Sequence, residues 1–155
     1  MTELAHLDDE GRARMVDVGP KTETHRVAVA EAHVTMSPDA RSALFAGTLP
    51  KGDALAVARI AAIQGAKQTP SLVPLCHPIG IDAISADVEA TDTGARVVVA
   101  VEVTAKTGVE MEAMTGVAIG AIALYDMIKA VDKGAVIGPI QLLSKSGGKS
   151  GDWAR

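Results

Sequence analysis

Asp126 and Lys129 stand three residues apart in an apolar run, Gly108 to Lys133, whose period is that of one long helix. Glu110 and Glu112 fall in its first turn, and Thr115 to Leu124 carries no charge. A carboxylate or ammonium buried without a partner costs several kcal/mol. Such groups in a core helix therefore mark a place where shifted pKa values serve proton transfer. The competing account is an ordinary surface ion pair near a helix end. Glu112 weighs against it, because Glu112, Thr115, Ile119, Asp126 and Lys129 share one stripe. Fourteen residues separate the two acids, so at ~1.5 Å rise per residue they lie ~21 Å apart along the axis. One compact pocket cannot use both from one chain. The preferred reading is a set of pockets shared between subunits.

A second group of candidates surrounds Leu75-Cys76-His77-Pro78. Adjacent residues of an extended chain point to opposite sides, which argues against a Cys76–His77 nucleophile pair. A histidine bonded to loop backbone accounts for His77 as well as a catalytic one does. One cysteine and four scattered histidines match no zinc spacing, so no metal is expected. Cations form the third group: Arg26, Lys51, Lys67, and Lys145 and Lys149 within KSGGKSG. Glycines there let backbone N–H groups approach an anion that the lysines neutralise, against the plainer account of a solvated basic tail. The segment is no P-loop, since the first glycine of that motif falls at Leu143 and no helix follows.

These groups need a scaffold, and 155 residues suffice for one domain with a real core. Hydrophobic residues make up 48% and aromatics 2%, so that core is aliphatic. A single cysteine excludes an internal disulfide framework and fits a reducing compartment. The N-terminus has no apolar signal core, and no segment is expected to span a bilayer; a cytoplasmic location follows. A net charge of −4 and few rings for stacking disfavour nucleic acid as a partner.

Residues 1–20 read as a polar arm. A strand is expected from Thr24 to Met36, and Ser37-Pro38-Asp39 starts a helix that stops near Gly47. A second helix runs from Asp53 to about Gln64. Three prolines in Thr69–Pro78 make a rigid loop. Strands at Ile81–Ala90 and Ala95–Thr107 join through a turn at Thr91–Gly94. The long helix, a strand at Val136–Leu143 and a Lys/Gly/Ser tail (144–155) complete the order β-α-α-β-β-α-β. That order predicts an α+β sandwich with a mostly antiparallel sheet. Gly116 and Gly120 are read as allowing close helix packing.

Taken together, Leu75-Cys76-His77-Pro78, Gly108–Ala113, Tyr125-Asp126-Met127-Ile128-Lys129-Ala130 and Ile137-Gly138-Pro139 with Lys145–Gly151 resemble one family. It is the cyclic pyranopterin monophosphate synthase family, molybdenum cofactor biosynthesis protein C. Met15–Val18 and Lys51-Gly52-Asp53 resemble it too, so the likeness spans nearly the whole chain. The resemblance implies a ferredoxin-like sandwich with a four-stranded sheet, helices on one face, and a hexamer built from dimers with shared pockets. It implies that cyclised GTP, 3′,8-cyclo-7,8-dihydro-GTP, becomes cyclic pyranopterin monophosphate with release of pyrophosphate. No obligatory metal or organic cofactor is implied, although Mg²⁺ can arrive with the triphosphate. By position, Asp126 matches the family's catalytic residue and Lys129 its partner. Leu75, Cys76, His77, Met111 and Glu112 match substrate-binding positions. Glu110, Lys51, Lys67, Arg26 and Lys145 match positions around the same pocket. A non-enzymatic nucleotide or polyphosphate sensor is the alternative, using the same cations without turnover.

Overall fold

The structure, a computed structural model, describes residues 6–155. Strand β1 (Thr24–Thr35) buries Ala28, Ala30, Ala32 and Val34 on one face, and on the other Glu31 is also buried, bonded by Arg96 and Gln141. Its antiparallel neighbour β3 (Gly94–Ala105) contributes Val97, Val99, Val101 and Val103 to that face, all at 0% exposure. Burying each valine stabilises the fold by roughly 1.5–3 kcal/mol relative to exposure. Strand β2 (Ala83–Thr91) pairs with β3 across the expected turn, and β4 (Val136–Ser146) pairs with the other edge of β1. At the turn, a Cβ on Gly94 would lie 2.0 Å from the Val34 carbonyl oxygen, so only glycine permits that approach.

The sheet has five strands in the order β2-β3-β1-β4-β5, not four. The chain reverses through the glycine-rich loop after Ser146. Trp153–Ala154 (β5) then pairs with Ser144 and Lys145. A two-residue strand has no periodicity to read, so only its pairing reveals it. Strand β4 also runs three residues past the expected Leu143, which puts Lys145 in the sheet rather than in a free tail.

Helix α1 (Pro38–Ala46) starts where Ser37 Oγ accepts from Ala40 N and ends at Gly47, whose φ is 70°. Helix α2 (Ala54–Lys67) is capped by Asp53 and continues past the expected end at Gln64. Gly65 does not stop it because that residue serves packing: a Cβ there would lie 2.7 Å from Ile119 Cβ. The proline-rich loop contains one short helix, α3 (Thr69–Leu72).

Helix α4 (Glu110–Ile128) is shorter than the apolar run suggested. It crosses the buried face of the sheet beside α2, with Ala113, Val117, Ala121, Leu124 and Ile128 inward. By length and composition this helix could cross a membrane, contrary to expectation, but half of the apolar stretch is buried within the fold. Gly116 and Gly120 do permit close packing. A Cβ on Gly120 would meet Ala62 Cβ at 2.9 Å and Val97 Cγ1 at 3.0 Å. Both glycines thus serve contacts inside the chain.

Candidate active site

A cavity of about 920 Å³ opens at the N-terminal end of α4. Leu75, Cys76 and His77 border it from the proline-braced loop, and Glu110, Met111 and Glu112 from the helix. Arg26 enters from β1, where its guanidinium donates to the Ala105 and Lys106 carbonyls at 3.2 and 3.4 Å. No side chain caps the helix at Val109, and Glu110 and Glu112 place two carboxyl groups in its first turn, where the helix dipole favours negative charge.

Glu112 is the buried acid of the site at 3% exposure. Burial raises its pKa to about 7, and the neighbouring Glu110 charge adds to the rise. It is therefore poised to hold or release a proton near neutral pH. Cys76 and His77 both border the same cavity. The bend of the loop defeats the alternation expected of an extended chain. Burial and the Glu112 charge push the Cys76 thiol up, which keeps it from the thiolate form that a nucleophile needs. His77 Nε2 lies 2.8 Å from the Val16 carbonyl oxygen, so the backbone-bonded histidine and the pocket histidine are the same residue.

Asp126 and Lys129 lie elsewhere, at the far end of α4. Asp126 Oδ1 is 2.7 Å from Lys129 Nζ, and its Oδ2 is 2.7 Å from Lys51 Nζ, which arrives from the segment before α2. This ion triplet is half-exposed: the side chains of Asp126, Lys129 and Lys51 are 52%, 48% and 38% accessible. The expectation of a buried carboxylate thus holds for Glu112 and fails for Asp126, because its position on α4 faces away from the sheet. Hydrogen bonds from Lys129 and then Lys51 draw the Asp126 pKa down to about 2, while Lys129 is shifted up by Asp126.

The remaining cations divide. Lys145 Nζ stands 3.4 Å from Glu110 Oε1 and lines a narrow crevice beside the main cavity with Arg26 and Gly147. Lys67 borders a separate groove with Ile63, Ile79 and Asp82. Within one chain, then, Lys51 and Lys67 do not join Arg26 and Glu110 around a single pocket. Lys21, Lys106 and Lys149 do border the cavity. The first two escaped the sequence reading because each stands singly in a polar stretch, without a motif around it. Among the described residues, no three His, Cys, Asp or Glu side chains converge as metal ligands would.

The comparisons with known proteins agree in one direction. The model of the MoaC family matches residues 15–148. A protein of Corynebacterium glutamicum named cyclic pyranopterin monophosphate synthase is 54% identical over 154 residues, covering 99% of each chain. A protein of the same name from Thermomicrobium roseum is 51% identical over 157 positions, covering 100% of this chain and 95% of its own. Another from Novosphingobium aromaticivorans is 49% identical over 153 residues, covering 99% and 98%. The match covers both the cavity and the Lys51–Asp126–Lys129 triplet: this chain belongs to the MoaC family.

Proposed function

We propose that this enzyme of molybdenum cofactor biosynthesis converts 3′,8-cyclo-7,8-dihydro-GTP to cyclic pyranopterin monophosphate in a pocket completed by two subunits. The observation that carries the reading is the division of the site along α4. The cavity holds a buried acid near neutrality, and the far end of the helix holds a carboxylate between two ammoniums. Membership in the MoaC family makes the chain a lyase acting on a small molecule derived from a nucleotide.

The reaction opens one ring of the guanine, forms the pterin and closes a cyclic phosphate. In the last of these steps a sugar hydroxyl attacks the α-phosphorus. A new P–O bond forms, the bond to the bridging oxygen breaks, and pyrophosphate leaves with its electrons. The hydroxyl proton needs an acceptor and the leaving charge needs cations. Asp126 is the acceptor in this scheme. While both lysines bond to it, its basicity is low. Phosphate oxygens compete for Lys51 and Lys129, and that exchange returns Asp126 toward an ordinary carboxylate. Glu112 and His77 serve the base-derived ring from the cavity side.

Helix geometry supports subunit sharing, since ~21 Å separates Glu112 from Asp126. So does the surface around the triplet. Ile122, one turn from Asp126, is 55% exposed, and Ile60 and Val57 on α2 are 68% and 41% exposed. In this reading a hexamer built from dimers covers that surface and brings the partner subunit's Asp126 and Lys129 to the cavity. Mg²⁺ enters with the triphosphate rather than as a resident ion, and a cytoplasmic location suits a nucleotide substrate and a reduced thiol.

Incubating the purified protein with the cyclised GTP and measuring pterin and pyrophosphate together tests the proposal. Stoichiometric appearance of both is expected. Tight binding without either product would instead favour a polyphosphate sensor.

A further inference from the structure

The N-terminal segment after Arg14 has almost no regular structure, yet it forms one wall of the cavity, supplying Val16, Val18, Pro20, Lys21 and Thr22. A segment without a helix or sheet ladder must satisfy its backbone groups elsewhere. Here the clamps are side chains of the pocket itself. His77 Nε2 meets the Val16 carbonyl at 2.8 Å, and Lys106 Nζ donates to the Gly19 carbonyl at 2.8 Å. Between them Asp17 Oδ1 accepts from Gly19 N at 2.8 Å, and Lys21 N donates to the Val18 carbonyl at 3.0 Å, which closes a turn. The turn ends at Lys21, on the cavity wall.

Most cations around the cavity and the triplet are already engaged. Arg26 donates to two carbonyls, Lys106 to Gly19, Lys145 pairs with Glu110, and Lys51 and Lys129 with Asp126. Among the described residues, no carboxylate lies within ion-pair distance of Lys21 or Lys149. Of these two, Lys21 is the one delivered by a backbone that His77 and Lys106 clamp. A cation held at a cavity wall without a counter-charge is available to an anionic ligand.

We infer that Lys21, carried to the cavity by this strap, binds the terminal phosphates of the substrate, and that Lys106 is the positioning residue that keeps it there. The inference rests on the proposed reading, in which a triphosphate enters the pocket, and assigns its leaving end to the arm. The triplet at Asp126 then serves the α-phosphorus.

Pyrophosphate, titrated calorimetrically into the full-length protein, is the probe, because it presents the same terminal charge and needs no turnover. Lys21→Gln is expected to weaken its binding about tenfold, the ~1.4 kcal/mol of one charged hydrogen bond. Lys21→Arg should retain most of the affinity, and thermal melting should be unchanged in both. Lys106→Met, which keeps length and loses the donor, should also weaken binding. The double variant Lys21→Gln/Lys106→Met should bind no worse than Lys21→Gln, since a positioning residue has nothing left to position. Additive losses would make Lys106 an independent phosphate ligand and overturn its assignment. Lys21→Gln affinity within about twofold of wild type, or no pyrophosphate binding by the wild type, would overturn the site. A protein that makes the pterin while Lys21→Gln binds normally keeps the proposed function and loses this inference. One that binds pyrophosphate through Lys21 yet makes no pterin does the reverse.

Discussion

Lys51 and Asp126 meet at 2.7 Å although 75 residues separate them in the chain, tying the approach to α2 to the last turn of α4. Lys129 holds the other carboxylate oxygen at the same distance. The Asp126 carboxylate is therefore held between two ammonium groups, the masked base of the proposed mechanism.

If Asp126 accepts the proton, Asp126→Asn keeps the shape and removes the acceptor. The variant should melt like the wild type and lose turnover by about 10²- to 10⁴-fold. Lys129→Ala should lower kcat more than it raises KM. A rise in KM alone would make Lys129 a binding group.

Lys51→Met tests the masking. With one cation gone, the Asp126 pKa should move up from about 2 toward its ordinary 3.8. The acidic limb of kcat/KM should therefore appear at higher pH than in the wild type, while substrate binding weakens. Identical acidic limbs in the two proteins would show that Asp126 does not control the rate.

Glu112 ties stability to pH in the opposite sense. Its folded pKa of about 7 stands above its ordinary 4.5, so its contribution is fully present below pH 4.5 and is lost as pH rises through about 7. The loss is on the order of 3 kcal/mol, because each tenfold change in proton affinity is worth ~1.4 kcal/mol. Glu112→Gln stays neutral at every pH. Its melting temperature should gain on the wild type between pH 5 and pH 8, and parallel curves would place the Glu112 carboxyl in water.

Mixing tests the shared pocket. Glu112→Ala and Asp126→Ala chains should each be inactive. Co-refolded together, they should recover part of the activity, because some mixed pockets regain every group. No recovery after demonstrated subunit exchange, or turnover by a folded monomer, would rule sharing out.

Much of this protein is legible in the linear chain because local chemistry writes it there. Alternation in β1 and β3, the Ser37 and Asp53 caps, and the long apolar period of α4 each follow from a few neighbouring residues. The 3.6-residue period and 1.5 Å rise by themselves separated Glu112 from Asp126. Which of the two is buried was not legible, since both stand on the same apolar helix and only packing on the sheet distinguishes them. Pairing decided β5, and packing decided that Gly65 lies inside a helix. The Lys51–Asp126 bond and the carbonyl clamps from His77 and Lys106 join residues tens of positions apart. No local pattern encodes such contacts: they exist only once the hydrophobic face of the sheet has closed and carried distant segments together.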